Sequence, residues 1–116
     1  MSEMTPAELD RWLAEHVMGW RLDELTWFDA DGGGHYDAEH VDAYDCGTCC
    51  VWHPTANIAQ AIEAAEKARA DGRIRRWRLY SDHLGGADVD ANGACHESWR
   101  MGLAHALCHA LHAALA

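Results

Sequence analysis

Four residues within eight positions have the types and spacing to hold a metal: Cys46, Cys49, Cys50 and His53. Cys46-Gly47-Thr48-Cys49 sets two thiolates two residues apart around a small turn residue, the arrangement of a zinc knuckle. Cys50 and His53 would complete a tetrahedral set. His35 and His40 stand upstream as alternative ligands. No second Cys-x-x-Cys follows, so the same residues also read as a buried strand cysteine, Cys50, beside two loop thiols. A redox use of the pair is disfavoured, because no helix stands directly behind Cys46 to stabilise a thiolate.

Other residue sets imitate chemistry less completely. His105, His109 and His112 fall at i, i+4 and i+7. They share one helical face, displaced from a leucine stripe and therefore expected at solvent. The glutamate of His-Glu-x-x-His is missing there, which argues against a zinc hydrolase. Asp88-Val89-Asp90-Ala91-Asn92-Gly93 resembles the start of a calcium loop, but Trp99 occupies the place of the bidentate carboxylate. Asn92-Gly93 is accounted for by a tight hairpin. Asp29-Ala30-Asp31-Gly32-Gly33-Gly34 fails as a calcium loop in the same way. Arg73, Arg75, Arg76 and Arg78 around Trp77 form a set that can grip a nucleotide-like anion. The alternatives are a solvated sheet face, or ion pairs with upstream acids. No nucleophile–base pair and no glycine-rich phosphate loop occurs, so no catalytic residues and no enzyme activity are expected.

The charge is distributed unevenly. Nineteen acidic residues against nine Lys and Arg give a formal net charge of −10. That balance disfavours direct nucleic-acid binding, which needs cations to neutralise phosphates. Between Arg21 and Lys67 there is no Lys or Arg, yet ten carboxylates fall there, Asp37, Glu39, Asp42 and Asp45 among them. These four are the candidate contacts to a basic partner such as a nucleic-acid-binding protein. Six of the nine basic residues then crowd into positions 67–78. Five cysteines without an export signal point to reduced thiols or a metal rather than disulfides. The absence of a signal peptide and of a long apolar run implies a protein that stays in the cytoplasm of the cell that makes it, with no membrane contact.

Helices and strands must position these groups. Thr5-Pro6-Ala7-Glu8 fits a capping box with Pro at the first helical position. Leu9, Trp12, Leu13, Val17 and Trp20 recur at offsets 0, 3, 4, 8 and 11 as one apolar stripe. Gly19 is placed to end that helix and turn Trp20 back onto it. Leu25–Phe28 reads as a strand, residues 29–50 as a variable acidic loop rich in Gly, Cys and His, and Cys49–Trp52 as a short strand. A second helix follows with Thr55 as cap, a small-residue face at Ile58, Ala61, Ile62, Ala65 and Ala68, and Gly72 past its end. Arg73–Tyr80 is a further strand. Ala87–Asp90 and Ala94–Glu97 flank the Asn92-Gly93 turn, and Ser98 can cap a last helix with Leu103, Leu107, Leu111 and Leu115 in one stripe beside Cys108. The chain is long enough for one domain over 1–116. The order is α-β-β-α-β-β-β-α, an α+β sandwich with a mostly antiparallel sheet of three to five strands and three helices.

Leu9-Asp10, Ala14 and Val17-Met18-Gly19-Trp20 resemble the opening of the phage ABA sandwich domain family. A polar-capped helix after the variable loop and a small terminal helix carrying a cysteine extend that resemblance. It implies a phage or prophage protein with an α+β sandwich fold and no defined activity, and it carries no catalytic or ligand residues over to this chain. A small acidic non-catalytic protein is the resulting expectation. It would bind a host protein and inhibit a nucleic-acid-targeting defence system. The alternatives are a small-ligand, nucleotide-like binder using Arg73, Arg75, Arg76, Trp77 and Arg78, and a zinc-stabilised binding module.

Overall fold

The structure, a computed structural model, describes residues 4–24, 26–37, 51–80, 85–100 and 102–116, the side chains of His35 and Asp37 apart. The first helix, α1 (Pro6–His16), is closed at both ends as its sequence predicts. The Thr5 amide donates to Glu8 Oε1 at 2.8 Å and the Glu8 amide donates to Thr5 Oγ1 at 3.2 Å, so two otherwise orphaned donors are satisfied. Gly19 sits at φ +74°, and the Trp20 amide returns to the Ala14 carbonyl at 2.9 Å. Trp20 thereby lands in the core, 4.9 Å from Trp52 in an edge-to-face arrangement.

Three short antiparallel strands follow in the order β1 (Arg21–Asp23), β2 (Thr26–Phe28), β3 (Gly34–Asp37). Between β2 and β3 the Asp29 Oδ1 accepts the amides of Asp31 and Gly33, both at 2.9 Å, so this carboxylate shapes its own turn. Val51 makes an isolated bridge. Helix α2 (Ile58–Ala70) starts two residues later than Thr55 would allow, because Asn57 is the cap and accepts the Gln60 amide at 3.2 Å. Thr55 is engaged elsewhere: its amide donates to Asp10 Oδ1 of α1 at 2.9 Å. The buried face of α2 is Ala61, Ala64, Ala65 and Ala68. Small side chains of this kind let it approach its neighbour closely.

A second antiparallel sheet is ordered β4 (Arg76–Tyr80), β5 (Gly86–Ala91), β6 (Ala94–Trp99), with β5 in the middle. Asn92 and Gly93 take φ +54° and +78° between β5 and β6, as a two-residue hairpin of this hand requires. Ser98 lies in β6 and is not the cap of α3 (Leu103–Leu115), whose cap position is Gly102 with no side-chain bond. The strand claims Ser98 through its pairing with Ala87. Helix α3 lies on the inner face of this sheet against β5 and β6 and meets α1 and α2 on its other sides. Leu107 and Leu111 of α3, Leu9 and Leu13 of α1 and Val89 of β5 belong to one buried cluster. The fold is thus α+β with three helices, its antiparallel strands divided between two three-stranded sheets.

Candidate functional site

The alternation of a strand sorts the residues of the second sheet onto two faces. Trp77, Leu79, Ala87 and Val89 belong to the hydrophobic core with α3 or pack against it. On the opposite face the register sets out three rows: Arg76, Asp90 and Cys95; Arg78, Asp88 and Glu97; Tyr80, Gly86 and Trp99. Each guanidinium on this face meets a carboxylate. Arg78 reaches Asp88 through Nε at 3.2 Å and Nη2 at 2.9 Å, and Arg76 Nε lies 3.2 Å from Asp90 Oδ2. The Tyr80 hydroxyl donates to the same Asp88 carboxylate, and the Arg78 guanidinium carbon stands 5.8 Å from the Tyr80 ring centre. Asp88 is only 2% exposed. Burial pushes its carboxyl up, but the bonds from Arg78 and Tyr80 and the charge of Arg78 outweigh burial and hold it below the usual range.

The third row is aromatic. Tyr80 and Trp99 lie nearly parallel, 18° apart, with ring centres separated by 5.7 Å. They meet across Gly86, where a Cβ would fall 2.5–2.9 Å from three atoms of the Trp99 six-membered ring. Only glycine admits an indole lying across the strand. Trp99 nevertheless remains 42% exposed. Cys95, at the other end of the face, is a poor nucleophile, because burial and the neighbouring Asp88, Asp90 and Glu97 raise its thiol.

The five residues proposed from the sequence for a ligand are not brought to one place. Arg76 and Arg78 share the outer face, whereas Trp77 sits on the inner side with its indole N–H 3.4 Å from Glu66 Oε2. Glu66 also takes Arg69 at 2.6 Å. Arg73 donates to the carbonyl of His16 at the end of α1, and Arg75 is exposed ahead of the strand. Among the described residues Arg76 and Arg78 pair with acids of β5, the neighbouring strand. What the sequence reading missed is the aromatic row. Its signal was present in the alternation of Arg76, Arg78 and Tyr80 and in Glu97 and Trp99 two residues apart.

A concavity of about 300 Å³ lies between α1, the first sheet and residues 51–53, lined by Asp10, Arg11, Leu22, Trp27, Trp52 and His53 among others. The Trp52 indole N–H donates to the Asp10 carbonyl at 2.8 Å. Gln60, buried, spans Val51 and His53: its Nε2 donates to the Val51 carbonyl at 2.9 Å and its Oε1 accepts the His53 amide at 2.7 Å. Burial raises the Asp10 carboxyl, opposed by the Thr55 amide and by His53 and His105. The backbone of His53 is thus held by Gln60. Its expected companions Cys46, Cys49 and Cys50, the alternative ligand His40, and Glu39, Asp42 and Asp45 lie outside the described residues, while Asp37 ends β3. Among the described residues no three His, Cys, Asp or Glu side chains are grouped to hold a metal.

The histidine stripe of α3 is half-buried and not a fully solvent face. His112 meets the Trp12 ring edge-to-face at 4.7 Å, and Trp12 also packs on His16 at 5.0 Å. His109 Nε2 lies 2.9 Å from Arg100 Nη2, and His105 is 6.1 Å from His109. Helix α1 covers this side of α3, so burial, reinforced by the charge of His16, lowers the pKa of His112.

No family model and no curated protein matches the sequence. The fold does have a counterpart. A phage protein from Bacillus cereus ATCC 14579, known from a 2.0 Å crystal structure, superposes with a TM-score of 0.68 over 98% of this chain and 90% of its own. The two sequences are 13% identical, so the likeness is one of fold. No helix among the described residues is long and apolar enough to cross a membrane.

Proposed function

We propose that this chain is a small, non-catalytic phage or prophage accessory protein that binds a host protein in the bacterial cytoplasm. The observation that carries the reading is the outer face of β4, β5 and β6. It presents an exposed, rigidly held Trp99 beside Tyr80 and two carboxylate-bound arginines. Trp, Tyr and Arg are the residue types that dominate the energetics of protein interfaces, and fixing them before contact removes part of the ordering cost. The fold shared with a phage protein supports the biological setting. The Val17–Trp20 helix ending supports placement in the phage ABA sandwich family. The charge of −10 supports a basic partner, such as a component of a nucleic-acid-targeting defence system that this protein would inhibit.

Nucleotide-like ligands are the second reading, favoured by the stacked Tyr80 and Trp99 and opposed by the neutralised arginines. A zinc-stabilised module built on Cys46, Cys49, Cys50 and His53 is compatible with either. Quantitative binding to extracts of a susceptible host, comparing the wild type with Tyr80→Ala and Arg76→Ala, tests the leading reading. A discrete partner held by the wild type and lost by the variants supports it. A rise in melting temperature with nucleotides, and no host partner, replaces it with the second.

A further inference from the structure

Glu97 and Trp99 are two residues apart on β6 and therefore share the outer face, roughly 7 Å apart along the strand. We propose that they form a docking point for one cationic side chain, Lys or Arg, carried by an exposed segment of a protein partner. This rests on the protein-binding reading above and specifies its chemistry. The indole is held by its packing across Gly86 and its stacking on Tyr80. Its exposed side is a negatively polarised surface of the kind that attracts a cation. Glu97 is exposed and has no ion-pair partner among the described residues. It is therefore a carboxylate ready to complete the charge recognition.

The rest of the face decides the sign of the occupant. Arg76 and Arg78 are tied to Asp90 and Asp88, so among the described residues three carboxylates stand against two guanidiniums and the excess charge is that of Glu97. A phosphate approaching Trp99 would find its arginines taken and a free carboxylate beside it. An arriving guanidinium finds the ring and the counter-charge together. Size argues against a second copy of this chain. Three strands of five or six residues present roughly 300 Å², against about 800 Å² per partner in a stable interface.

Four probes test the assignment: a capped tetra-arginine peptide, a capped tetra-citrulline peptide as uncharged control, a tetra-glutamate peptide, and oligo-dT. Each is titrated while the indole N–H resonance of Trp99 is followed, the resonance being assigned with Trp99→Phe. Saturable movement with tetra-arginine alone is expected. Glu97→Gln should weaken it by about threefold to fivefold, as the modest strength of an exposed ion pair implies. Glu97→Gln touches no core residue and should leave the melting temperature unchanged, which separates lost binding from lost folding. Equal movement with citrulline, indifference to Glu97→Gln, or preference for oligo-dT overturns the proposal. Host-partner binding lost in Tyr80→Ala but kept in Glu97→Gln would leave the protein-binding reading standing and remove only the cation.

Discussion

Asp88 carries more of the outer face than any other residue, because Arg78 and Tyr80 both depend on it. Asp88→Asn keeps the size but removes the charge, and it should cost about 1–3 kcal/mol, the usual penalty for weakening a buried charged hydrogen-bond set. Urea denaturation at neutral pH measures this. The folded-state pKa of Asp88 is lowered, so its contribution is complete above the unfolded carboxyl value of about 3.9 and is lost as pH falls through the folded value. The Asn variant should lack that part of the acid slope. His112 acts in the same direction from a different cause. Burial against Trp12 disfavours its imidazolium, so the unfolded chain takes the proton first. Stability should fall as pH drops below about 6.5, and His112→Gln should flatten the curve between pH 7 and 5.

At the scale of elements the ends of α1 make the sharpest comparison. Thr5→Ala removes one capping bond and should cost about 1 kcal/mol. Gly19→Val forces a β-branched residue into φ +74° and misdirects Trp20 from the core, and it should cost clearly more. Equilibrium unfolding of the two variants side by side ranks them, and a smaller loss for Gly19→Val would contradict the role given to that turn. These ends were legible in the sequence because capping boxes, glycine stops and Asn-Gly hairpins act within a few residues. The cap of α2 was not. Thr55 is diverted by Asp10, 45 residues away, and a local window cannot see that bond. Strand β1 escaped for a related reason. The chain turns into β2 through Glu24 at φ +57°, where turn rules look for Gly or Asn. The histidines of α3 were assigned to solvent because their spacing shows which face they share, whereas the position of α1 decides what covers it.

The whole molecule is described by its charge and its connectivity. If the acid-rich segment steers a basic partner, reversing Asp37, Glu39, Asp42 and Asp45 together should slow association severalfold and remove most of its salt dependence. The core of the described residues is built from others, so the melting temperature should barely change. Stopped-flow association at two salt concentrations decides the matter, and flat rates in both proteins would leave the acidity with a solubility role alone. Connectivity has a consequence for synthesis. Each sheet is a meander of consecutive strands and can form as soon as it is made. Helix α1 is different, since its buried stripe shares a core with α3, whose first residue follows His16 by 87 positions. At ribosomal speed that gap lasts on the order of ten seconds. Throughout it Leu9, Leu13 and Val17 lack their α3 cover on the nascent chain, leaving apolar surface for chaperones and proteases that shrinks once α3 emerges.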